Sequence, residues 1–345
     1  MARVVINEPQ YPRQFNENQE APKGNSWMGL SGGWFFYSNN PESVYYWHLA
    51  DQGKWLNRAS VRGEGQVYTW HHNSTGFQIS TCILIYNPNS YDIVVSSYAH
   101  GTTKKYGAQP DSDAWINFWN TSSPIYEIVP ANGYKAIFQR TIEAEEVFGV
   151  IARLNITSTN GNAAEAVLFD LIYSANSSGA TSAANPDGTS RPRGIGATGY
   201  WLTTQFDTLT PVDQNGQYYT LGAFRDTFGG ADVPYINDPS GQAPNHALGN
   251  YGQQINISLP IYNNQSWGRT YRIFVGSTGG NLFPCFYYQG GGYKLNNGGW
   301  GNIEHHHILD ILEQYVGAHS TETVSFQMVV PAVSSTPLVV GARLA

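Results

Sequence analysis

The chain has 345 residues and a formal net charge of −7, with 12% charged, 41% hydrophobic and 14% aromatic residues. An acidic balance with no Lys/Arg run excludes a nucleic-acid partner held through phosphate contacts. No apolar stretch approaches the ~20 residues of a membrane helix, so no membrane insertion is expected. The length suits two domains rather than one core. The 37 Gly, 23 Tyr and 10 Trp point to an all-β, turn-rich chain, because aromatics suit pleated, half-buried surfaces and Gly suits tight turns.

In chain order, residues 1–25 read as an extended N-terminal arm. Pro9, Pro12 and Pro22 interrupt any period, and the segment should be poorly fixed to its own domain. Val4, Val5 and Ile6 form a short strand-former, suited to adding a strand to the sheet edge of a neighbouring copy. On that reading, removing residues 1–25 leaves a folded but monomeric protein. The apolar run Val4–Ile6 is too short for a secretory h-region. The low-charge, Asn/Ser/Thr/Tyr-rich composition nevertheless favours an extracellular location or a cell or spore surface, reached in processed or non-classically exported form.

Residues 26–174 read as a first β-sandwich domain. Dense aromatic runs carry Trp34 ("WFFY"), Trp47 ("YYWH"), and Trp115 and Trp119 ("AWINFW"). "TWHH" places His71 and His72 at a strand end. Phe77–Tyr86, the turn Asn-Pro-Asn-Ser and Tyr91–His100 are expected to form a hairpin. "DSDAW" sets Asp111 and Asp113 in a loop, where calcium is the cation to consider, although EF-hand spacing is missing. Glu143, Glu145 and Glu146 read as a solvated loop rather than a glycosidase pair. Residues 175–199, rich in Ser, Ala, Asn and Gly, read as a linker or exposed loop.

Residues 200–345 read as a second β-sandwich domain, because three blocks recur in the same order. Ile85-Tyr86-Asn87 matches Ile261-Tyr262-Asn263 at 176 residues, Phe138-Gln139 matches Phe326-Gln327 at 188, and "VIARL" from Val150 matches "VGARL" from Val340 at 190. The expected architecture is therefore two tandem, related sandwiches of jelly-roll or immunoglobulin-like kind. "HHHILDILEQYV" from His305 has helical spacing at Ile308, Ile311, Leu312 and Tyr315, yet the repeat sets it against the strand-like "SPIYEIV", so a strand is favoured. In a strand His305 and His307 share a face, which makes them a candidate pair of zinc or copper ligands. Tyr287 lies in "FYYQGGGY". Cys82 and Cys285 are either a long-range disulfide or two buried thiols.

"GNYGQQINISLPIYNN", a Gly-rich segment and the closing "VVPAVSSTPLVV" together resemble uncharacterised exported β-rich proteins of Gram-positive bacteria and cyanobacteria. The resemblance covers roughly the last 100 residues and implies an extracellular β-sandwich, with no catalytic residue to carry over.

The functional reading is a non-catalytic structural or assembly protein of a bacterial extracellular, spore or particle surface. It would be a homo-oligomer or polymer, associating through aromatic-rich faces and the arm residues Val4, Val5 and Ile6. No cofactor is expected, with calcium or zinc the ions to test. The first alternative is a glycan-binding module using Trp34, Trp47, Trp115, Trp119 and Tyr287, since rings stack on sugars and also serve subunit contacts. The second is a metal-dependent enzyme built on His305 and His307.

Overall fold

The computed structural model describes residues 1–25, 27–52, 54–107, 111–176, 195–196, 199–221, 233–234, 246–247, 251–283, 285–288, 303–304 and 306–345. It is nearly all β and divides into two compact units. One, the terminal unit, comprises Met1–Ser31, Trp201–Val233 and Leu248–Ala345. The other, the central unit, comprises Gly32–Tyr200 and Pro234–Ala247. The linker expected at 175–199 lies largely outside the described residues.

The chain starts in the terminal unit with β1 (Arg3–Val4), β2 (Arg13–Gln14), β3 (Ala21–Asn25) and β4 (Trp27–Ser31). The central unit follows with β5 (Trp34–Ser38), β6 (Ser43–Val44), β7 (Asn57–Asn73), β8 (Ile79–Tyr86), β9 (Ile93–Tyr106), α1 (Ser112–Trp119), β10 (Ile125–Val129), β11 (Tyr134–Ile142), β12 (Glu146–Ser158) and β13 (Glu165–Ser174). The terminal unit resumes with β14 (Trp201–Gln205), β15 (Gln217–Leu221), β16 (Gln254–Tyr262), β17 (Arg269–Ser277), β18 (Cys285–Tyr287), β19 (His307–Val316), β20 (Thr321–Val329) and β21 (Leu338–Leu344).

In the central unit the strand order is β10-β9-β12-β7-β13-β8-β11, with β5 and β6 parallel to β7. The long β7 serves both halves of the sandwich, pairing β13 through residues 57–62 and β12 through residues 63–72. Gly63 marks the change with φ +70, a conformation that glycine enters without a Cβ clash. Alternation along these strands sends Val67, Ile83, Ile85, Val95, Val150, Ala152, Leu154 and Leu168 into one apolar core.

The terminal unit has the order β1-β19-β17-β21-β15-β3 in one sheet and β18-β20-β16-β14-β4 in the other. Its core gathers Ile6, Leu202, Leu259, Ile273, Leu312, Phe326 and Val340. The series β19-β17-β21-β15 has the same chain order as β10-β9-β12-β7, and β20-β16 the same as β11-β8. The three sequence-matched blocks lie on β8 and β16, β11 and β20, and β12 and β21.

The hairpin expected over Phe77–His100 is instead an arch. β8 pairs with β11 and β13, whereas β9 pairs with β10 and β12, so the turn between them crosses from sheet to sheet. A buried asparagine fixes the crossing. Asn87 Nδ2 donates to the carbonyls of Tyr91 (2.7 Å), Val129 (3.0 Å) and Pro130 (3.0 Å), while its Oδ1 accepts from Asn89 N–H (2.9 Å). Asn263 does the same in the terminal unit, donating to Trp267 (2.7 Å), Val316 (3.2 Å) and Gly317 (3.0 Å) and accepting from Gln265 N–H (3.1 Å). Each amide thereby satisfies carbonyls that would otherwise be buried without a donor.

Two further differences concern the N-terminus and helix. The arm is laid on its own unit: Arg3 and Val4 pair with Glu313 and Leu312, and Arg13 and Gln14 pair with Ile308 and His307. Val5, Ile6 and Phe15 are buried, and Val5 N–H donates to the Ile311 carbonyl at 3.1 Å. The region His307–Val316 is a strand, as the repeat favoured. An α-helix lies elsewhere, at Ser112–Trp119, and takes in most of the "DSDAW" stretch expected to be a loop. Asp113 in its first turn suits the helix dipole, and Ala114, Trp115 and Phe118 at helical spacing form its buried face. The helix rests directly on β9 at Gly101, where a Cβ would stand 1.8 Å from the Ala114 carbonyl oxygen.

Candidate functional site

The strongest chemical groups collect inside the central unit, where β7 and β13 bring His71 against Asp170. Both side chains are buried, and His71 Nε2 stands 2.9 Å from Asp170 Oδ2. The other ring nitrogen, Nδ1, lies 2.7 Å from the Pro41 carbonyl. A carbonyl only accepts, so Nδ1 is the donor to Pro41, and Nε2 is the nitrogen that meets the carboxylate. Ser38 Oγ approaches the same Nε2 at 3.5 Å. A hydrolytic triad needs the acid and the hydroxyl on opposite nitrogens of the ring. Here they share one nitrogen, and the ring is closed off from solvent. The arrangement therefore lacks the geometry of a triad and ties β5, β7 and β13 together inside the unit.

Arg140, half-buried on β11, feels the same Asp170 carboxylate. Its guanidinium donates to the carbonyls of Thr103 (2.8 Å) and Gly149 (2.9 Å). Burial brings its pKa down to about 10, against the opposing pull of the Asp170 and Glu146 carboxylates. Burial, reinforced by the charge of Asp170, pushes the Cys82 thiol well up. Cys82 and Cys285 are both free and buried, which answers the question left open by their spacing. A thiol that is both enclosed and protonated is inert. A thiol reagent such as dithionitrobenzoate is therefore expected to label neither cysteine in the native protein and both in denaturant. Rapid labelling of either one under native conditions would overturn this.

The surface presents rings. Trp47 is 48% exposed, and its indole stacks on Tyr45 with centroids 4.7 Å apart and planes at 11°. Tyr46 meets Trp47 edge-on at 5.8 Å, and the Tyr45 N–H donates to His48 Nδ1 at 2.9 Å, which holds this short 3₁₀ turn. The other ring candidates are placed differently. Trp34 is in the core, donating to the Gly63 carbonyl at 3.2 Å. Trp115 is fully buried on the inner face of α1 and stacks on Tyr68. Trp119 and Tyr287 are half-buried. Sequence reasoning passed over Tyr98, Tyr106 and Tyr126, all largely exposed on β9 and β10; an aromatic at the outward position of an amphipathic strand was the available signal.

His305 lies outside the described residues. His307 is half-buried on β19, and His306 Nδ1 stands 3.9 Å from Glu17 Oε1. Asp113 pairs with Lys105 at 2.7 Å, and Asp111 is buried at the helix start. Among the described residues no three His, Cys, Asp or Glu side chains come together as a metal site. Val4 is half-buried, and Val5 and Ile6 are enclosed in their own unit. Around them Arg3 and Arg272 share the carboxylates of Glu8 and Glu313, with Arg3 to Glu313 at 2.8 Å and Arg272 to Glu313 at 2.8 Å. Arg3 holds the Glu8 carboxyl below its usual range.

These features define an all-β sandwich protein with an enclosed polar interior and an aromatic exterior. No protein-family model and no curated protein matches the chain. Solved structures give weak likenesses. One is to the tandem CBM51 modules of Sp3GH98, the family 98 glycoside hydrolase from Streptococcus pneumoniae SP3-BS71, at 9% identity over 83% of each chain with a TM-score of 0.17. Another is to the PBSX exported protein XepA, at 7% identity over 100% of this chain and 86% of that one, TM-score 0.13. A third is to a point mutant of Bacillus subtilis oxalate decarboxylase OxdC, at 8% identity over 97% of this chain and 77% of that one, TM-score 0.12. Similarities this slight carry no argument about activity. No helix among the described residues is long and apolar enough to cross a membrane.

Proposed function

We propose that this chain is a non-catalytic structural protein of a cell, spore or particle exterior that self-associates through exposed aromatic surface on its central unit. One observation carries the reading: the central unit encloses its reactive groups His71, Asp170 and Cys82, while Tyr45, Tyr46, Trp47, Tyr98, Tyr106 and Tyr126 stand in solvent. Exposed Tyr and Trp rings suit contact surfaces, where these residues are enriched.

Light scattering on a sizing column, run across a concentration series, tests it. The expected result is a mass above that of the 38.1 kDa chain, rising with concentration, with ordered particles or filaments in negative stain. A monomer at every concentration would end the reading. A second reading, glycan binding, is favoured by the near-parallel Tyr45–Trp47 pair beside His48. Saturable quenching of tryptophan fluorescence by oligosaccharides, abolished in Trp47→Ala, would select it.

A further inference from the structure

We propose that β10 is the self-association edge of this chain, pairing antiparallel about Glu127 with the β10 of a second copy. The inference rests on the self-associating reading above and names its contact. β10 ends its sheet, with β9 on one side and, among the described residues, no strand on the other. Such an edge offers unpaired N–H and C=O groups, and proteins ordinarily blunt it with charge, bulges or a covering segment.

The edges within this chain differ in how they are protected. β11, at the other end of the central sheet, is broken by a register shift between Ile137 and Arg140, with Phe138 at φ +53. β19, the strand at the matching place in the terminal unit, is covered by the chain's own N-terminus. The asparagine arch fixes the correspondence, since Asn87 binds the Val129 carbonyl and Asn263 that of Val316. Ile125 and Tyr126 then stand where Leu312 and Glu313 pair with Val4 and Arg3. β10 carries no bulge and, among the described residues, no covering strand. Its outward face shows Tyr126 at 65% and Ile128 at 51% exposure, with Tyr98 of β9 at 75%.

The strand is complementary to itself. In an antiparallel pair centred on Glu127, Tyr126 opposes Ile128 and Ile125 opposes Val129 across the whole five-residue strand. An aromatic against a β-branched residue is a favourable cross-strand pair. The two central carboxylates are not bare, because each Glu127 already holds Lys135 at 2.7 Å. What meets at the centre is then two ion pairs rather than two bare carboxylates. Pro124 and Pro130 bound the strand and limit the pairing to these residues.

The test uses the full chain. Glu127→Cys places one accessible thiol on the two-fold axis, and Cys82 and Cys285 are buried and free. Under mild oxidation it should give a reducible dimer in high yield, with Glu165→Cys, exposed on β13, as the control for random collision. The double variant Tyr126→Lys with Ile128→Lys alters only exposed positions. It should keep the wild-type circular dichroism and fall to a smaller mass in light scattering. If the wild type self-associates while Glu127→Cys crosslinks no better than the control and the double variant keeps its mass, the β10 pairing is wrong and self-association stands on another surface. A wild type that is monomeric throughout removes both.

Discussion

Deleting residues 1–25 should unfold the terminal unit rather than release a soluble monomer. The expectation from sequence was the opposite, and the reason for the reversal is burial. Val5 and Ile6 are at most 1% exposed and Phe15 is 3% exposed. Truncating a buried Ile to Ala costs ~2–5 kcal/mol and a buried Phe ~3–5. Their combined loss, together with β1 to β3, is comparable to the entire ~5–15 kcal/mol that holds a typical domain. The ion pairs of Arg3 and Glu8 matter little beside this, because exposed pairs contribute little and are screened by salt. Hydrogen exchange would report the outcome, with protection lost across β17, β19 and β21 in the truncated chain. Single substitutions grade the effect: Ile6→Ala should destabilise by about 2–5 kcal/mol. A truncated chain with the wild-type unfolding midpoint would show that the docked segment contributes nothing.

The second large effect is expected at the centre of the other unit. Asp170→Ala should cost about 3–5 kcal/mol, because it strands His71 and removes the carboxylate facing Arg140 inside the fold. Replacing both partners, His71→Leu with Asp170→Leu, should cost clearly less than the two single changes added together, since no half-pair is left behind. Urea unfolding of the wild type, His71→Leu, Asp170→Leu and the double variant closes the cycle, with Asp170→Ala measured beside them. A loss for Asp170→Ala under about 0.5 kcal/mol, the range of an ordinary surface substitution, would sink the account.

The sequence alone determined what depends on local period and local chemistry. Alternation along Ile79–Tyr86, Ile93–Tyr106 and Gln254–Tyr262 sorts side chains between two faces, so the all-β sandwich was legible. The matched Asn87 and Asn263 could be read as a pair because each sits in its turn with the same neighbours. That both amides tie together carbonyls far along the chain, from Val129 and from Val316, could not be read. Only the tertiary structure decided three things. The turn after Tyr86 gives a hairpin or an arch with the same residues, and the partner strands choose the arch. Trp34 and Trp115 look like Trp47 in sequence, yet two became core and one stayed in solvent, because exposure depends on what packs across the sheet. His71 meets Asp170, and Val4 meets Leu312, from strands far apart in the chain. Such long-range pairs form only when burial against the rest of the fold outweighs the entropy of closing the chain between them.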